Sequence, residues 1–576
     1  MLKTLARSLR EYKRPSILTP ILVILESLAD VVIPLLMVTL IDQGIETGNM
    51  TVIWHTGLEL LGLALAAAFC GILAAWLGAK ASAGFACNLR HDLFYNLQDF
   101  SFRNIDKFST ASLITRLTTD VTNIQNSFMM LLRVTAKSPF MLIFAVIMSF
   151  TINAHLALVY LCAIPVLAVC LVFIIRYAHP LFKQVFQHYD RLNSVVQENL
   201  RGIRVVKSFV REDYERGKFH DVSDRVYRLF SKAEKAISLC FPLMQFCIMA
   251  CMLLVSWFGA HLIVGGSMTT GQLIAITNYA FQILFSLMML AAIFVMITIA
   301  RASAERVCEV LNEKSDITDR PDPVMEVKDG SIRFTDVDFS YAGDRDKLCL
   351  TDVDLEIASG ETVGIIGGTG SAKSTLVQLI PRLYDVTGGS VEVGGVDVRD
   401  YDLEVLRRQV AMVLQKNVLF SGTIRDNLRW GDENATDEEM ERACRLAQAD
   451  GFIQEFPDGY DTYIEQGGTN VSGGQRQRLC IARALLMKPK ILILDDSTSA
   501  VDTTTDAKIR KAFLEEIPHT TKLIIAQRIA SVQDADKIIV MDNGAVSAVG
   551  DHETLLRTSS IYREVYESQV KGGDDA

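Results

Sequence analysis

The sequence predicts a six-helix α transmembrane domain with long helical extensions on one side, fused to an α/β domain. Three observations predict it. Three long stretches of the first 300 residues contain no Lys or Arg. Charged segments that keep helical periodicity separate them. Beyond residue 330 the charge density is ordinary, and a strand, a glycine-rich turn and a helix follow one another over residues 361–380.

A membrane-crossing helix needs about 20 apolar residues. The basic-free stretches run from Pro15 to Ala79, Ser138 to Ile175 and Ala236 to Ala300, and each holds a helical hairpin. Polar breaks at 42–49, 153–155 and 265–271 divide them. The predicted spans are about 16–41, 53–79, 130–152, 155–178, 239–264 and 272–299, within a domain of residues 1–310. The middle stretch is short for two spans, so the third helix starts earlier and brings Arg133 and Lys137 to the inner interface, snorkelling or lining a cavity. Basic residues crowd the flanks, at Lys3, Arg7, Arg10, Lys13 and Arg14 and again at Lys80, Arg90, Arg103, Lys107 and Arg116. By the positive-inside rule both termini and the segments 80–125 and 176–235 are cytoplasmic, in a multi-pass protein of the cell membrane. At about 1.5 Å per residue these intracellular helices project tens of ångströms from the bilayer.

Glu26 and Asp30 lie inside the first span, four residues apart and on one helical face. Such a pair is either satisfied by neighbouring helices or faces a central cavity and contacts substrate there. The two carboxylates favour a cationic or amphipathic molecule.

Composition agrees. Half of the 576 residues are hydrophobic, concentrated between residues 15 and 300, and the length suggests about three to four domain equivalents. A net charge of −10 argues against nucleic acid as a partner. The eleven cysteines form no C-x-x-C pair and read as reduced, structural residues. The apolar run from Ile17 is longer than a signal-peptide core of about 7–15 residues, so it is expected to remain as an anchor.

Residues 311–330 are charged and Pro-bearing, a linker; 331–567 form the α/β domain and 568–576 a tail. Glu361–Gly367, with Val363, Ile365 and Ile366, is a short buried strand, and Lys373–Ile380 begins a helix. Between them Gly367, Gly368, Thr369, Gly370, Ser371 and Ala372 lead to Lys373, Ser374 and Thr375, nearly the G-x-x-x-x-G-K-[ST] pattern of a phosphate-cradling P-loop. Lys373 supplies the cation, and the Ser374 hydroxyl is a ligand for Mg²⁺. The pattern asks for glycine at 372. The Ala372 methyl either crowds the phosphates or is tolerated at a negative φ. Tyr341 precedes this domain's main sheet, as a core aromatic or a ring to stack on adenine. VAMVLQ ends in Gln415. VSGGQ, with Ser472, Gly473, Gly474 and Gln475, opens an amphipathic helix and a second phosphate-ready turn. ILILDD is a strand ending in Asp495, placed to hold Mg²⁺, and Asp496, where a general base belongs. LIIAQ ends in Gln527.

In order and spacing these motifs resemble an ABC ATPase, for which a P-loop together with SGGQ is highly specific; the six spans exclude a soluble SGGQ ATPase of the DNA-repair type and point to an ABC transporter. RLTTDVTNIQ (116–125) and ENLRGIRVVKSFVREDYE (198–215) are similar to the intracellular loops with which ABC exporters dock on their ATPase. The resemblance spans about residues 15–567. It implies a half-transporter that uses ATP and Mg²⁺ and works as a dimer in the lipid bilayer, by alternating access. ATP would be sandwiched between one subunit's P-loop and the other's signature. It implies roles for Tyr341, the loop 367–375 and Gln415 in ATP binding and for Ser374, Gln415 and Asp495 toward the metal. Ser472–Gln475 would face the partner's ATP, and SAVD (499–502) would be a D-loop with Asp502.

Hydrolysis-competent members carry Glu at the position of Asp496, His at Gln527 and Gly at Ala372. All three departures fall in this chain's own P-loop site, whereas its signature is intact. That split resembles the degenerate-site subunit of bacterial heterodimeric exporters, as does EQGGTNVSGGQ (465–475). The expectation is an exporter of amphipathic or drug-like compounds or lipids, weakly active alone, with a second half-transporter supplying the efficient site at a bacterial plasma membrane. The alternatives are a homodimer with Asp496 as a slow base, an exporter-fold importer, for example of an iron chelate, and a non-transporting nucleotide-gated regulator.

Overall fold

The computed structural model describes residues 1–496 and 501–571. It divides into two compact units, Met1–Gln98 with Thr110–Glu313, and Asp99–Ser109 with the chain from Lys314 onward.

In the first unit, six helices among the described residues are long and apolar enough to cross a membrane. The main helices of this unit are α1 (Lys13–Thr39), α2 (Met50–Gln98), and, after the short second-unit helix α3 (Phe102–Lys107), α4 (Val121–Ile152), α5 (Ala154–Arg201), α6 (Glu212–Ser238), α7 (Cys240–Val264) and α8 (Thr270–Asn312). The 49 residues of α2 make it about 74 Å long, against a hydrocarbon core of about 30 Å. Its Trp54, Leu58, Leu61, Leu65, Phe69, Ile72 and Trp76 are exposed at three- and four-residue spacing, one stripe that suits lipid. Small residues, Ala74, Gly78, Ala81 and Ser82, are buried instead, and they let neighbouring helices approach closely.

The polar breaks of the sequence become tight connections. Asn153 alone joins α4 to α5, and its side chain caps α5 by accepting from the N–H groups of His155 and Leu156. Asp42, in the first break, accepts from the Thr269 hydroxyl and from the Gly271 N–H (2.8 Å) in the third. A Cβ at Gly271 would lie 2.7 Å from the Asp42 carboxylate, so only glycine allows this approach. Two buried tyrosines are satisfied across helices: Tyr279 donates to Val31 O (2.6 Å) and Tyr160 to Ile276 O (3.2 Å).

The segment 116–125 turns toward α8 within this unit. The buried Asp120 accepts from Nε and Nη2 of Arg306, Arg116 pairs with Glu309 (2.8 Å), and Asn123 donates to Ser303 (3.2 Å). The stretch grouped with the second unit is instead 99–109, which the sequence reading passed over. Ser101 and Asn104 form a capping box that starts α3. Asn104 donates to Lys314 O (3.2 Å), Arg103 to Ala342 O (3.1 Å), and Tyr384 to Asp106 (2.7 Å).

The second unit contains two main sheets. Strands β1 (Ile332–Phe339), β2 (Leu350–Ile357), β3 (Thr362–Gly367), helix α9 (Lys373–Gln378), β4 (Gly388–Val393), β5 (Val396–Asp397), β6 (Val410–Val413), helix α10 (Gly473–Leu486), β7 (Ile491–Asp495), helix α11 (Thr503–Glu516), β8 (Thr521–Ile525), β9 (Lys537–Asp542) and β10 (Ala545–Gly550) follow in order. An antiparallel sheet runs β2-β1-β4-β5, and a six-stranded sheet runs β10-β9-β3-β8-β7-β6. The second is parallel except for β10, which returns from β9 through Asn543–Gly544, both at positive φ as a hairpin turn of this hand requires. β3 lies between β9 and β8, and an apolar cluster covers each of its faces: Val363 and Ile365 join one and Ile366 the other. That double burial is why the strand reads as an unbroken apolar run. Each such side chain contributes about 1.5–3 kcal/mol by leaving water, which makes β3 a rigid base for the loop at its end.

Candidate nucleotide site and membrane cavity

The loop after Gly367 curls around the Lys373 ammonium. Its Nζ donates to Gly367 O (2.9 Å) and Gly368 O (2.8 Å) and touches Ser371 Oγ (3.3 Å). Burial pushes the Lys373 pKa down, and the charges of Asp495 and Asp496 pull it back up. At the end of strand β7, two places from β3 in the same sheet, Asp495 Oδ1 accepts from the Ser374 hydroxyl at 2.8 Å. Burial pushes this carboxyl above the ordinary range, while Ser374 and Lys373 work against the rise.

Two carboxylates and one ammonium leave an excess negative charge at the strand ends, beside the start of a helix. Ser374 and Asp495 offer hard oxygen donors within 2.8 Å of each other, the donor chemistry that suits Mg²⁺. Lys373 and the glycine loop suit phosphate. The residues therefore fit a Mg²⁺–nucleotide: Lys373 and 367–375 would hold phosphates, Ser374 and Asp495 the ion. The ion's chemistry is to neutralise phosphate charge.

Ala372 has φ 66° and ψ 23°, in the left-handed region, so the negative-φ route to tolerance is not taken. Its methyl instead packs against the apolar cluster beneath the loop. Gly367 is different, because a Cβ there would lie 2.3 Å from the backbone oxygen of Met541. Gly367→Ala is expected to cost about 1–3 kcal/mol by overpacking and to weaken ATP binding. Ala372→Gly is expected to change stability by less than about 1 kcal/mol, since relieved strain is set against a more flexible unfolded chain and a lost methyl contact. Thermal melts and nucleotide titrations of both variants check this; equal losses would refute it.

Asp496 sits at φ 48°. Its Oδ2 accepts from the side-chain amides of Gln527 (2.7 Å) and Gln415 (3.3 Å), and the buried Gln477 donates to its carbonyl at 3.4 Å. Gln569, near the C-terminal end of the described chain, donates to Gln527 O (2.8 Å) and accepts from Ile529 N (2.9 Å), fixing the turn that carries Gln527. Gln415 thus bonds Asp496. Gln477 and Gln569 escaped the sequence reading; a polar side chain on the apolar face of α10 was the one signal for Gln477.

Tyr341 is 40% exposed, which removes it from the core. Its ring meets Phe339 and Tyr384 edge-on at 4.9 and 5.1 Å, and its hydroxyl bonds Thr375 Oγ1 (3.0 Å) and Gln378 Oε1 (3.3 Å). Ser472 caps α10 in a capping box with Gln475, leaving Ser472 and Gly473 exposed. Asp502 caps α11 by accepting from Thr505 N (2.9 Å); Ser499 and Ala500 of SAVD lie outside the described residues, as do 572–576 of the tail.

In the first unit a cavity of about 890 Å³ lies among α1, α4, α7 and α8. Glu26, Arg133, Lys137 and Gln282 are on its wall. Lys137 Nζ bridges Glu26 Oε1 (2.7 Å) and Asp30 Oδ2 (3.0 Å). The carboxylate pair already has an ammonium between its members, which offsets one of its two negative charges and weakens the reason to expect a cationic ligand there.

A bundle of membrane-crossing helices joined to a P-loop sheet with an SGGQ-capped helix defines a membrane ATPase of the ABC class. Residues 16–288 match the ABC transporter transmembrane region and residues 350–499 the ABC transporter ATPase family. The chain is 38% identical over 549 residues, 95% of each chain, to the uncharacterized ABC transporter ATP-binding protein YfiB of Bacillus subtilis. It is 33% identical over 487 residues, 84% of each, to the ATP-dependent lipid A-core flippase of Desulfotalea psychrophila. Its fold matches a bacterial Atm1-family ABC exporter with ATP bound, with TM-score 0.83 at 24% identity over 97% of this chain and 99% of that one. The chain belongs to the ABC transporter family. It is a half-transporter of the exporter type, a multi-pass membrane protein whose ATPase uses ATP with Mg²⁺ and is coupled to transport.

Proposed function

We propose that this chain is one half of a heterodimeric exporter of amphipathic compounds or lipids, with its ATPase unit in the cytoplasm of a bacterial cell. Its own P-loop site holds ATP and stabilises the closed dimer; the partner supplies the catalytic Glu and His of the site that turns over. The observation that carries this is the state of Asp496. Asp withdraws its carboxylate by about 1–1.5 Å relative to Glu, and a general base must come within about 2.6–3.2 Å of its water. Here the shortened carboxylate is also held by the amide of Gln527 at 2.7 Å. Gln527 can donate to a phosphate and cannot carry a proton as imidazole does. Kinship to a protein named as a lipid A-core flippase supports an amphipathic cargo.

The test is ATPase activity in lipid nanodiscs. A positioned general base is worth about 10²–10⁴ in rate, so the single chain should turn over about 100-fold more slowly than the pair formed with a half-transporter carrying Glu and His. Asp496→Glu with Gln527→His in the single chain should recover part of that rate, and Asp496→Glu in the pair should leave transport intact. A single chain as fast as the pair would defeat the reading.

A further inference from the structure

Among the described residues, one cation of the membrane cavity has no partner. Lys137 is taken by Glu26 and Asp30. Arg133, one turn earlier on α4 and on the same wall, has no carboxylate or hydrogen-bond partner among the described residues. Its aliphatic stem passes Gly78 of α2, where an added Cβ would lie 3.6 Å from Arg133 Cδ and 3.3 Å from Thr19 Cγ2. On α8, Gln282 donates to Asp30 O (3.1 Å), and its Oε1 is buried with no hydrogen-bond partner among the described residues. A charged donor and an orphaned acceptor thus share one cavity. Most of the rest of the wall is apolar, with Met129, Met130, Met141, Met244, Met289 and Met296 beside Phe281 and Phe285; Asn126, Ser138 and Ser286 also line it. Thioether side chains adapt to alkyl chains of varied shape.

We infer that this cavity takes an amphiphile with an anionic head, a phosphate monoester or a similar acid that also carries an O–H. The head pairs with Arg133 and donates to Gln282 Oε1, and the alkyl chain lies against the methionines. Unpaired charge inside a membrane is costly, and an anion seated on Arg133 relieves that cost at the guanidinium. A cation would have to displace Lys137 from Glu26. This inference names the cargo of the exporter proposed above and rests on that reading; a lipid and a free alkyl acid share the required chemistry.

The test is equilibrium dialysis of labelled dodecyl phosphate, below its micellar concentration, against the full chain in nanodiscs of neutral lipid, with empty discs as background. Saturable binding is expected, weakened at least about tenfold in Arg133→Gln and largely kept in Arg133→Lys, which preserves the charge and reports folding. Gln282→Leu should weaken binding several-fold. Dodecyltrimethylammonium of the same chain length should not compete, and inorganic phosphate should not compete either, since it lacks the tail. Competition by a two-chain phosphatidic acid identifies a lipid cargo; its failure beside binding of the single chain identifies a free amphiphile. Tighter binding of the cationic probe, or an unchanged affinity in Arg133→Gln because the facing subunit pairs that residue, would overturn the inference. Binding is read without ATP, so loss of ATP-driven transport with binding intact would fault the exporter reading alone.

Discussion

Asp495→Asn is expected to give a chain whose ATPase unit melts at a higher temperature without nucleotide and binds Mg²⁺–ATP about 10- to 100-fold more weakly. Both effects have one cause. Asp495 ends a buried strand, and burial raises its pKa above the unfolded value despite the Ser374 hydroxyl and Lys373. A carboxyl raised on folding contributes stability that is fully present below the unfolded value, about 3.9, and lost as pH rises through the folded one. At neutral pH the ionised group is therefore a net cost, retained because a divalent cation needs it. Asparagine removes the charge and keeps an oxygen for Ser374, and each kcal/mol relieved is worth about 2–4 °C in a unit of this size. The melting difference between wild type and variant should shrink as pH falls through the raised pKa of folded Asp495, because the wild-type carboxylate then protonates. A variant that melts earlier than wild type at pH 7 would refute the account.

Local patterns were legible in the sequence and long-range pairings were not. The P-loop context could be read because strand, turn and helix follow one another within twenty residues, and a strand covered on both faces must be apolar throughout. The hairpins could be read because a membrane forbids Lys and Arg over a helix length. Asn153 was legible as a break because the residue type that interrupts an apolar run also caps the next helix. By contrast, Lys137 and Glu26 are 111 positions apart, and periodicity gives no distance between two helices. The same holds for Asp496, whose amide partners come from positions 415 and 527. Its identity pointed to a weakened base; only the fold revealed that glutamines hold it. Helix α3 was missed because six residues are too few for periodicity to register.

The heaviest loss is expected from this chain's signature. Ser472→Asp should lower the ATPase of the assembled pair by about 100-fold or more, while Asp496→Asn in the same chain changes it by less than about threefold. Serine at 472 does two things. It caps α10, accepting from Gln475 N at 3.2 Å, and its exposed edge is proposed to face the partner's triphosphate. Aspartate keeps the first task, being as good an N-cap and a favourable charge at a helix start. It spoils the second by setting a carboxylate against phosphate oxygens in a site from which water is excluded, where electrostatic errors are large. The variant should therefore melt within about 1 °C of wild type, which separates failed catalysis from failed folding. Asp496 lies in the other composite site, where the proposal has ATP held through many cycles, so loss of its charge leaves turnover nearly unchanged. Turnover that survives Ser472→Asp and is abolished by Asp496→Asn would invert the assignment: this chain's own P-loop would then be the working site, and Asp496 its base.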